Sequence, residues 1–403
     1  MTSFASTQQH LVDDVVRWWL GHGPDVREGG VWTCWSNDGS ELVSTDKYTW
    51  SQGRWVYLTA HLARAGHQGR LPVDGERLLA LAEQSARFIR DHQLLPDGRT
   101  AYLTTTDGTV IDPGDGAHQS IFADMFVALG WGALAEITGS DEWGSRASRL
   151  LQGARAVMRS GDYRSEPYPV PAGHRSLALP MITVNVAEQV FRATGEDSVR
   201  QILIQAADEI AEHHLVGSDV LEMPGTDPAS LLSRHRTPGH ILELAWFLWE
   251  ARDIIGEHPL TDAGRLADLA ENALAIGWDN EHGGLLRYTD AHGGAPSGTT
   301  TGHVYEQLVQ DTWDTKLWWP HAELLYASPL LAKVADRPAL AAWHQRSRDY
   351  VAAHFIQGPG QEWVQNLNRD GSPRAGVVAL PVKDPFHVAR ALLKLAELER
   401  EPQ

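Results

Sequence analysis

The helical spacing of apolar residues constrains this sequence most, because it recurs along nearly the whole chain. Residues three and four apart share one helix face, and this spacing predicts twelve amphipathic helices. They span 7–21, 49–66, 76–94, 117–138, 141–158, 176–195, 197–214, 239–256, 260–277, 313–334, 337–356 and 384–400. Six antiparallel helical hairpins can close into an inner ring of six helices inside an outer ring of six. An open solenoid is the alternative.

A weak internal repeat favours the closed ring. Segments 29–39, 283–290 and 361–371 each join a turn, a short aromatic or β-branched run and a second polar turn. We predict β-hairpins there, gathered at the end of the ring where a ligand enters. No Pro-rich or charged linker divides the chain. The sequence therefore predicts an all-α fold, an (α/α)6 barrel forming a single catalytic domain over residues 1–403.

Composition limits the partners of this chain. A net charge of −18 argues against nucleic acid and anionic membranes. We find no secretory signal and no run of the roughly 18 apolar residues that a membrane span needs. The single cysteine, Cys34, fits a reducing compartment, so we expect a cytoplasmic protein. Sixteen Trp against eight Phe suits stacking on sugar rings, although core packing explains any one of them equally well.

Two of the predicted helices begin with a proline followed by a histidine. Pro238 suits a first helical turn, and His240 lies on the same face as Glu243, three residues on. Pro385 and His387 repeat the arrangement. Because a helix N-terminus disfavours imidazolium, we expect both histidines to be neutral and able to act as bases. The structural alternative is a capping histidine beside a glutamate that complements the helix dipole.

An arginine and two His–Glu pairs complete the candidate residues. Arg54 shares a helix face with Trp50, where it needs either a bound oxyanion or a structural carboxylate partner. His240 with Glu243, and His321 with Glu323, offer metal ligands, but no H-E-x-x-H or zinc-site spacing is present. A G-x-G-x-x-G loop is also absent. We therefore expect no metal and no cofactor.

Four segments, 47–54, 238–248, 316–323 and 386–390, resemble the N-acylglucosamine 2-epimerase family. Residues 118–124 and 179–188 also resemble its segments, in the same order, so the resemblance runs from about residue 16 to the end. It implies an (α/α)6 barrel and a soluble enzyme that isomerises unphosphorylated sugars without a metal or redox cofactor. Some epimerases of this family respond to nucleotide.

The same resemblance implies roles for individual residues. His240 and His387 would be the acid/base pair, Arg54 would contact the sugar oxygens near C1 and C2, and other residues would bind substrate. These other residues are Glu243 and Glu323, which would hold the sugar or a histidine, with Tyr48, Trp50, Trp319 and Asn185.

The sequence departs from the family pattern at three places. Family branches that act on cellobiose, mannose or sulfosugars have a third histidine at the position of Asn185. This sequence lacks that histidine, as the acetylglucosamine epimerases do. Residues 378–380 are Val-Ala-Leu in place of Lys-Gly-Gly, and Ala389 replaces a proline. These places flank the site, so they leave the identity of the sugar open.

We predict a 2-epimerase of the N-acetylglucosamine/N-acetylmannosamine or glucose/mannose type. One histidine removes the C2 hydrogen of an open-chain aldose, Arg54 holds the enediol(ate), and the other histidine returns a proton to the opposite face. Proton delivery to C1 instead gives a 2-ketose, so an aldose–ketose isomerase is the alternative.

Two further readings stay open. An inverting glycoside hydrolase needs two carboxylates about 6.5–9.5 Å apart, for which Glu243 and Glu323 are the candidates. A non-catalytic sugar-binding protein would explain the tryptophans but not the repeated histidines. The expected partner is a small sugar, and the broad helical outer surface allows a homodimer.

Overall fold

The structure is a computed structural model that describes residues 6–375 and 382–400. These residues contain twelve long helices, as the periodicity predicts. The first, α1, runs continuously through Thr7–His10, the π-helical Leu11–Val16 and Arg17–His22. The others are α2 Thr49–His67, α3 Gly75–Phe88 (extended by the π-helical turn Ile89–Gln93), α4 Ile121–Thr138, α5 Asp141–Ser160, α6 Ala178–Thr194, α7 Asp197–His213, α8 Pro238–Ile255, α9 Ala263–Gly277, α10 Trp318–Val334, α11 Pro338–His354 and α12 Phe386–Leu398.

The even-numbered helices form the inner ring of an (α/α)6 barrel. Each packs on the next, from α2 through α4, α6, α8 and α10 to α12, and α12 packs back on α2. Each of α2, α4, α6, α8 and α10 also packs on the outer helix that follows it in the chain, while α12 packs on α1. The first and last helices therefore complete the ring, and the closed alternative is confirmed over the solenoid.

Local sequence signals set many of the helix ends. Asp74, Ser140 and Asp262 cap α3, α5 and α9 with side-chain oxygens that accept a backbone N–H of the first turn. Gly139 ends α4 in the left-handed conformation that glycine adopts without strain. Helix α10 begins at Trp318, later than the predicted residue 313, because the short helix Val304–Thr312 and a strand precede it.

One inner helix, Ile121–Thr138, is long and apolar enough to cross a membrane by length and composition alone. The sequence predicts a helix over 117–138 but no segment apolar enough to span a membrane. In the structure, 83% of its residues are buried, because the helix packs on α2, α5 and α6. Its apolar character is therefore explained by its place in the inner ring.

The connections at the two ends of the barrel differ in length. Short turns link each inner helix to the next outer helix, whereas long loops lead from each outer helix to the next inner one. The long loops carry ten short strands within the described residues. These are β1 Cys34–Trp35, β2 Leu42–Ser44, β3 Lys47–Tyr48, β4 Leu103–Thr104, β5 Leu215–Val216, β6 Asp219–Val220, β7 His235–Arg236, β8 Thr289–Asp290, β9 Lys316–Leu317 and β10 Asn366–Leu367.

The strands gather at one end, as predicted, but most do not form the predicted hairpins. Only β1–β2 and β5–β6 are local hairpins within the described residues. Strands β3, β7 and β9 lie immediately before α2, α8 and α10, and each pairs with a strand from the next long loop. This pairing fixes the N-terminal ends of three inner helices, because the strand and the helix are continuous in the chain.

Candidate active site

A cavity of about 190 Å³ lies at the barrel end that carries the long loops. Residues from the first two turns of the inner helices line it, including Arg54 of α2, His240 of α8, Trp319 of α10 and His387 of α12. A narrower extension of about 80 Å³ shares Arg54 and Trp319 with it. Because the inner helices all point their N-termini at this end, the barrel brings together residues that lie far apart in the sequence.

His240 is held by a glutamate from the loop before its own helix. Its Nδ1 lies 3.0 Å from both carboxylate oxygens of the buried Glu222. An ionised carboxylate only accepts, so Nδ1–H donates and Nε2 is the nitrogen left to exchange a proton with a ligand.

The prediction that the helix N-terminus keeps His240 neutral is wrong, because the pKa of His240 is raised rather than lowered. Burial lowers the pKa of His240, but the adjacent Glu222 carboxylate outweighs burial, so the pKa is raised above its ordinary value. Burial alone would raise the pKa of Glu222. The adjacent His240 has the larger effect, so the pKa of Glu222 is lowered below its ordinary value. The sequence spacing could not show this ion pair, whose members are 18 residues apart.

His387 is held in the same way by Glu323. Its Nδ1 lies 2.7 Å from Glu323 Oε1, and the Trp246 indole donates to Glu323 Oε2 at 2.7 Å. The Arg390 guanidinium donates from Nη2 to Glu323 at 2.8 Å and to Glu243 at 2.5 Å. Burial raises the pKa of Glu323, but Arg390 and His387 outweigh it and hold the carboxylate ionised. Nε2 of His387 is therefore again the free nitrogen.

Trp319 packs against both histidines. Its ring centroid is 5.1 Å from that of His240 and 5.6 Å from that of His387. Gly239 permits this contact, because a Cβ atom at that position would lie 2.7 Å from the Trp319 ring. The sequence Pro-Gly-His therefore lets α8 and α10 approach closely enough to share one aromatic wall.

Arg54 lies on the aromatic side of the cavity. Its guanidinium carbon is 3.9 Å from the Phe126 ring centroid and 5.6 Å from that of Trp50. Nη1 donates to Asp384 at 3.2 Å. Of the two alternatives that the sequence left for Arg54, the geometry supplies the structural carboxylate partner, and the residue also lines the cavity.

The structure places three predicted substrate-binding residues away from the cavity wall. Tyr48 packs edge to face on Tyr102 at 5.5 Å, and Asn185 is buried in α6, one turn beyond the cavity-lining Ile182. Glu323 lies behind His387, where it contacts the histidine. Trp50, Trp319 and Glu243 do line the cavity. The departure at residues 378–380 lies outside the described residues.

Four residues of this site are not predicted from the sequence. Glu222, Arg287, Asp384 and Arg390 were given no role. Glu222 carried a local signal, since a lone carboxylate within the apolar run from Val220 to Met223 suggests burial. Arg287 follows two buried leucines in one of the repeated segments, but its position in the cavity depends on long-range packing.

Glu243, Glu323 and His387 form a metal-ligand-like cluster in the described part of the chain, with ligand atoms within 4.8 Å of one another. Arg390 supplies the positive charge between the two carboxylates, so this donor set does not fit a cation. The same proximity disfavours the hydrolase alternative, which needs about 6.5–9.5 Å between its carboxylates.

Comparisons with known proteins show the family of this chain. The sequence matches the family model described as N-acylglucosamine 2-epimerase over residues 30–391. The N-acylglucosamine 2-epimerase of Bos taurus is 31% identical over 404 residues, covering 96% of this chain and 89% of that protein.

Two solved structures share the fold at low sequence identity. A sugar epimerase from a ruminal bacterium has a TM-score of 0.80 at 16% identity, covering 98% of this chain and 99% of its own. A D-mannose isomerase has a TM-score of 0.75 at 18% identity, covering 97% of both chains. These likenesses bear on the fold alone.

Proposed function

We propose that this chain, which belongs to the N-acylglucosamine 2-epimerase family, is a sugar isomerase that inverts C2 of an open-chain aldose. One observation carries the proposal: two imidazoles line a single cavity, and each has its Nδ1 bound to a buried carboxylate. Each therefore offers Nε2 to the same ligand. Proton removal from one face of a carbon and proton delivery to the other face need two such acid/base groups.

The reaction follows from the acidity of C2. Its hydrogen is acidic only while the C1 carbonyl accepts the charge, so the reacting form of the sugar is the open-chain aldose. One histidine removes the hydrogen, and the resulting enediolate is stabilised by the Arg54 guanidinium at the cavity wall. The other histidine then protonates the opposite face of C2 to give the epimer.

Aldose–ketose isomerisation is the second candidate, because it shares the enediolate. Delivery of the proton to C1 rather than C2 gives the 2-ketose from the same residues. The paired imidazoles favour epimerisation, since transfer between C2 and C1 on one face needs only one base.

Proton NMR in deuterated water tests the proposal on N-acetylglucosamine, N-acetylmannosamine, glucose, mannose, fructose and lyxose, with EDTA present. We expect deuterium at C2 together with formation of the C2 epimer. Ketose as the main product would replace epimerisation by isomerisation at the same site. An absence of exchange on every one of these sugars and on glucuronate would contradict both reactions.

The pH dependence of kcat/KM follows from the pair of histidines. Only an enzyme carrying one proton on the pair can remove a proton on one side and deliver one on the other, so we expect a bell-shaped profile. At high pH activity falls as the pair loses its last proton. Because Glu222 raises the pKa of His240, replacement of Glu222 by Gln lowers that pKa and moves the alkaline limb to lower pH.

Glu281→Gln is the matched control for this profile, since Glu281 is an exposed carboxylate outside the cavity. We expect its alkaline limb to coincide with that of the parent protein. An unmoved limb in Glu222→Gln would show that Glu222 does not set the protonation of His240.

A further inference from the structure

Arg287 differs from the other buried arginines in the described part of the chain. Arg155 lies 2.5 Å from Glu209, Arg236 lies 2.6 Å from Asp219, and Arg390 lies 2.5 Å from Glu243. Arg287 is equally buried at 3% exposure, yet no carboxylate among the described residues lies within ion-pair distance. The undescribed stretch 376–381 contains no Asp or Glu that could serve.

The neighbours of the Arg287 side chain are neutral hydrogen-bonding groups. Nη1 donates to the Thr312 hydroxyl at 3.1 Å, and the guanidinium lies 4.8 Å from the Tyr288 ring centroid. Tyr168 and Tyr305 are also close enough to act electrostatically on it. Burying a guanidinium without a counter-charge costs folding free energy. A buried Arg287 without a carboxylate partner therefore indicates that a bound ligand supplies the anion.

This guanidinium faces the ligand space. Arg287, Tyr168, Tyr288 and Tyr305 all line the main cavity, and the first two also line its narrower extension. Arg287 is close enough to influence the charge of His240. A ligand that contacts the two histidines therefore has Arg287 and three tyrosine rings lining the same cavity.

Tyr168 lies in the long loop after α5, whereas Tyr288 and Tyr305 lie in the long connection between α9 and α10, Tyr305 within the short helix Val304–Thr312. Tyr288 and Tyr305 belong to a small buried cluster with Met223 and Val309, against which Tyr168 packs. The rings of Tyr168 and Tyr305 meet edge to face at 6.2 Å. The wall around Arg287 is therefore preorganised.

We propose that Arg287 and the tyrosines around it form a subsite for a carboxylate carried by the sugar, so that the substrate is an acidic sugar such as an aldohexuronate. The proposal rests on the proposed function and narrows its substrate class. One guanidinium neutralises one charge, and its planar fork matches a carboxylate. Arg54 is already paired with Asp384, whereas Arg287 has no carboxylate within ion-pair distance among the residues that the structure describes.

Binding of methyl glycosides tests the subsite without any turnover, because their rings cannot open. Isothermal calorimetry should show that methyl α-D-glucuronide binds more tightly than methyl α-D-glucoside. A charged hydrogen-bonded contact predicts a preference of roughly 10–150-fold. Equal or tighter binding of the neutral glycoside by the parent protein would overturn the proposal, regardless of the results with the variants.

Variants locate the preference at Arg287. In Arg287→Met the preference for the glucuronide should disappear, while Arg287→Lys should keep part of it. Tyr305→Phe removes one hydroxyl and should weaken glucuronide binding with little effect on the glucoside. Arg27→Met, at an exposed arginine outside the cavity, is the matched control and should leave both affinities unchanged.

Turnover separates this proposal from a catalytic role for Arg287. With glucose and glucuronate as substrates, Arg287→Met should lower kcat/KM for glucuronate by roughly 10–150-fold and change that for glucose little. An equal fall in kcat for both sugars would assign Arg287 to the enediolate and overturn the subsite. Glucuronide binding that depends on Arg287, without epimerisation of any sugar, would keep the subsite and overturn the proposed function.

A parallel arm with 6-deoxy-6-sulfoglucose distinguishes carboxylate from sulfonate. Kinetic preference for the carboxylate supports the proposal as stated. Preference for the sulfonate over the carboxylate would overturn the carboxylate assignment.

Discussion

Replacement of His387 by Asn is expected to lower kcat/KM for C2 epimerisation by roughly 10²–10⁴-fold, the usual contribution of a positioned acid or base. The Asn amide can still donate to Glu323, which accepts from His387 Nδ1 at 2.7 Å in the parent protein. It cannot take up or release a proton near neutral pH. The loss should therefore appear mainly in kcat, and His240→Asn should show a loss of the same order.

The control for these variants is His282→Asn, at a partly exposed histidine that does not line the cavity. It should retain the parent kcat and KM. Near-full epimerase activity in His387→Asn, with the protein folded, would remove His387 from the mechanism.

Replacement of Arg390 by Met is expected to lower the free energy of unfolding by about 3–5 kcal/mol, the cost of breaking a buried ion pair by removing one partner. Arg390 is 2% exposed, and its Nη2 atom donates to both Glu243 and Glu323. Without it, two buried carboxylates face each other with only His387 to balance them. Equilibrium unfolding in urea measures the loss.

A second substitution checks that this loss comes from unbalanced charge. Adding Glu243→Gln to Arg390→Met removes one of the two stranded carboxylates, so the double variant should recover part of the stability. Arg27→Met, at a largely exposed arginine paired with Glu28, should leave the unfolding midpoint unchanged. A double variant less stable than Arg390→Met alone would contradict the charge explanation.

The sequence predicts the barrel because every helix carries its own apolar stripe, which is a local property. It does not predict which strands pair. Strand β3 pairs with β4 across more than fifty residues, and β7 with β8 likewise, so no turn signal connects the partners. Only the two strand pairs that are local in sequence could be foreseen as hairpins.

The residues of the candidate site also differ in whether local sequence predicts them. His240 and His387 stand out because Pro-marked helix starts are visible in the sequence. The carboxylate partners of these histidines are not visible in the sequence, because Glu323 lies 64 residues from His387 and Glu222 lies in a loop. The direction of the His240 pKa was therefore predicted from the helix dipole alone, whereas the Glu222 carboxylate decides it. Arg390 lies within a recognised segment, but its contact to Glu243 spans 147 residues.

The most direct test of two histidines on opposite faces of C2 is hydrogen exchange in deuterated water by the single variants, started separately from each epimer of one turned-over sugar. We predict that His387→Asn still exchanges the C2 hydrogen of one epimer and not of the other, and that His240→Asn shows the reverse selectivity. Neither variant should interconvert the epimers at an appreciable rate. Loss of exchange from both epimers in one variant, with full exchange from both in the other, would contradict the account, because a single base would then serve both faces.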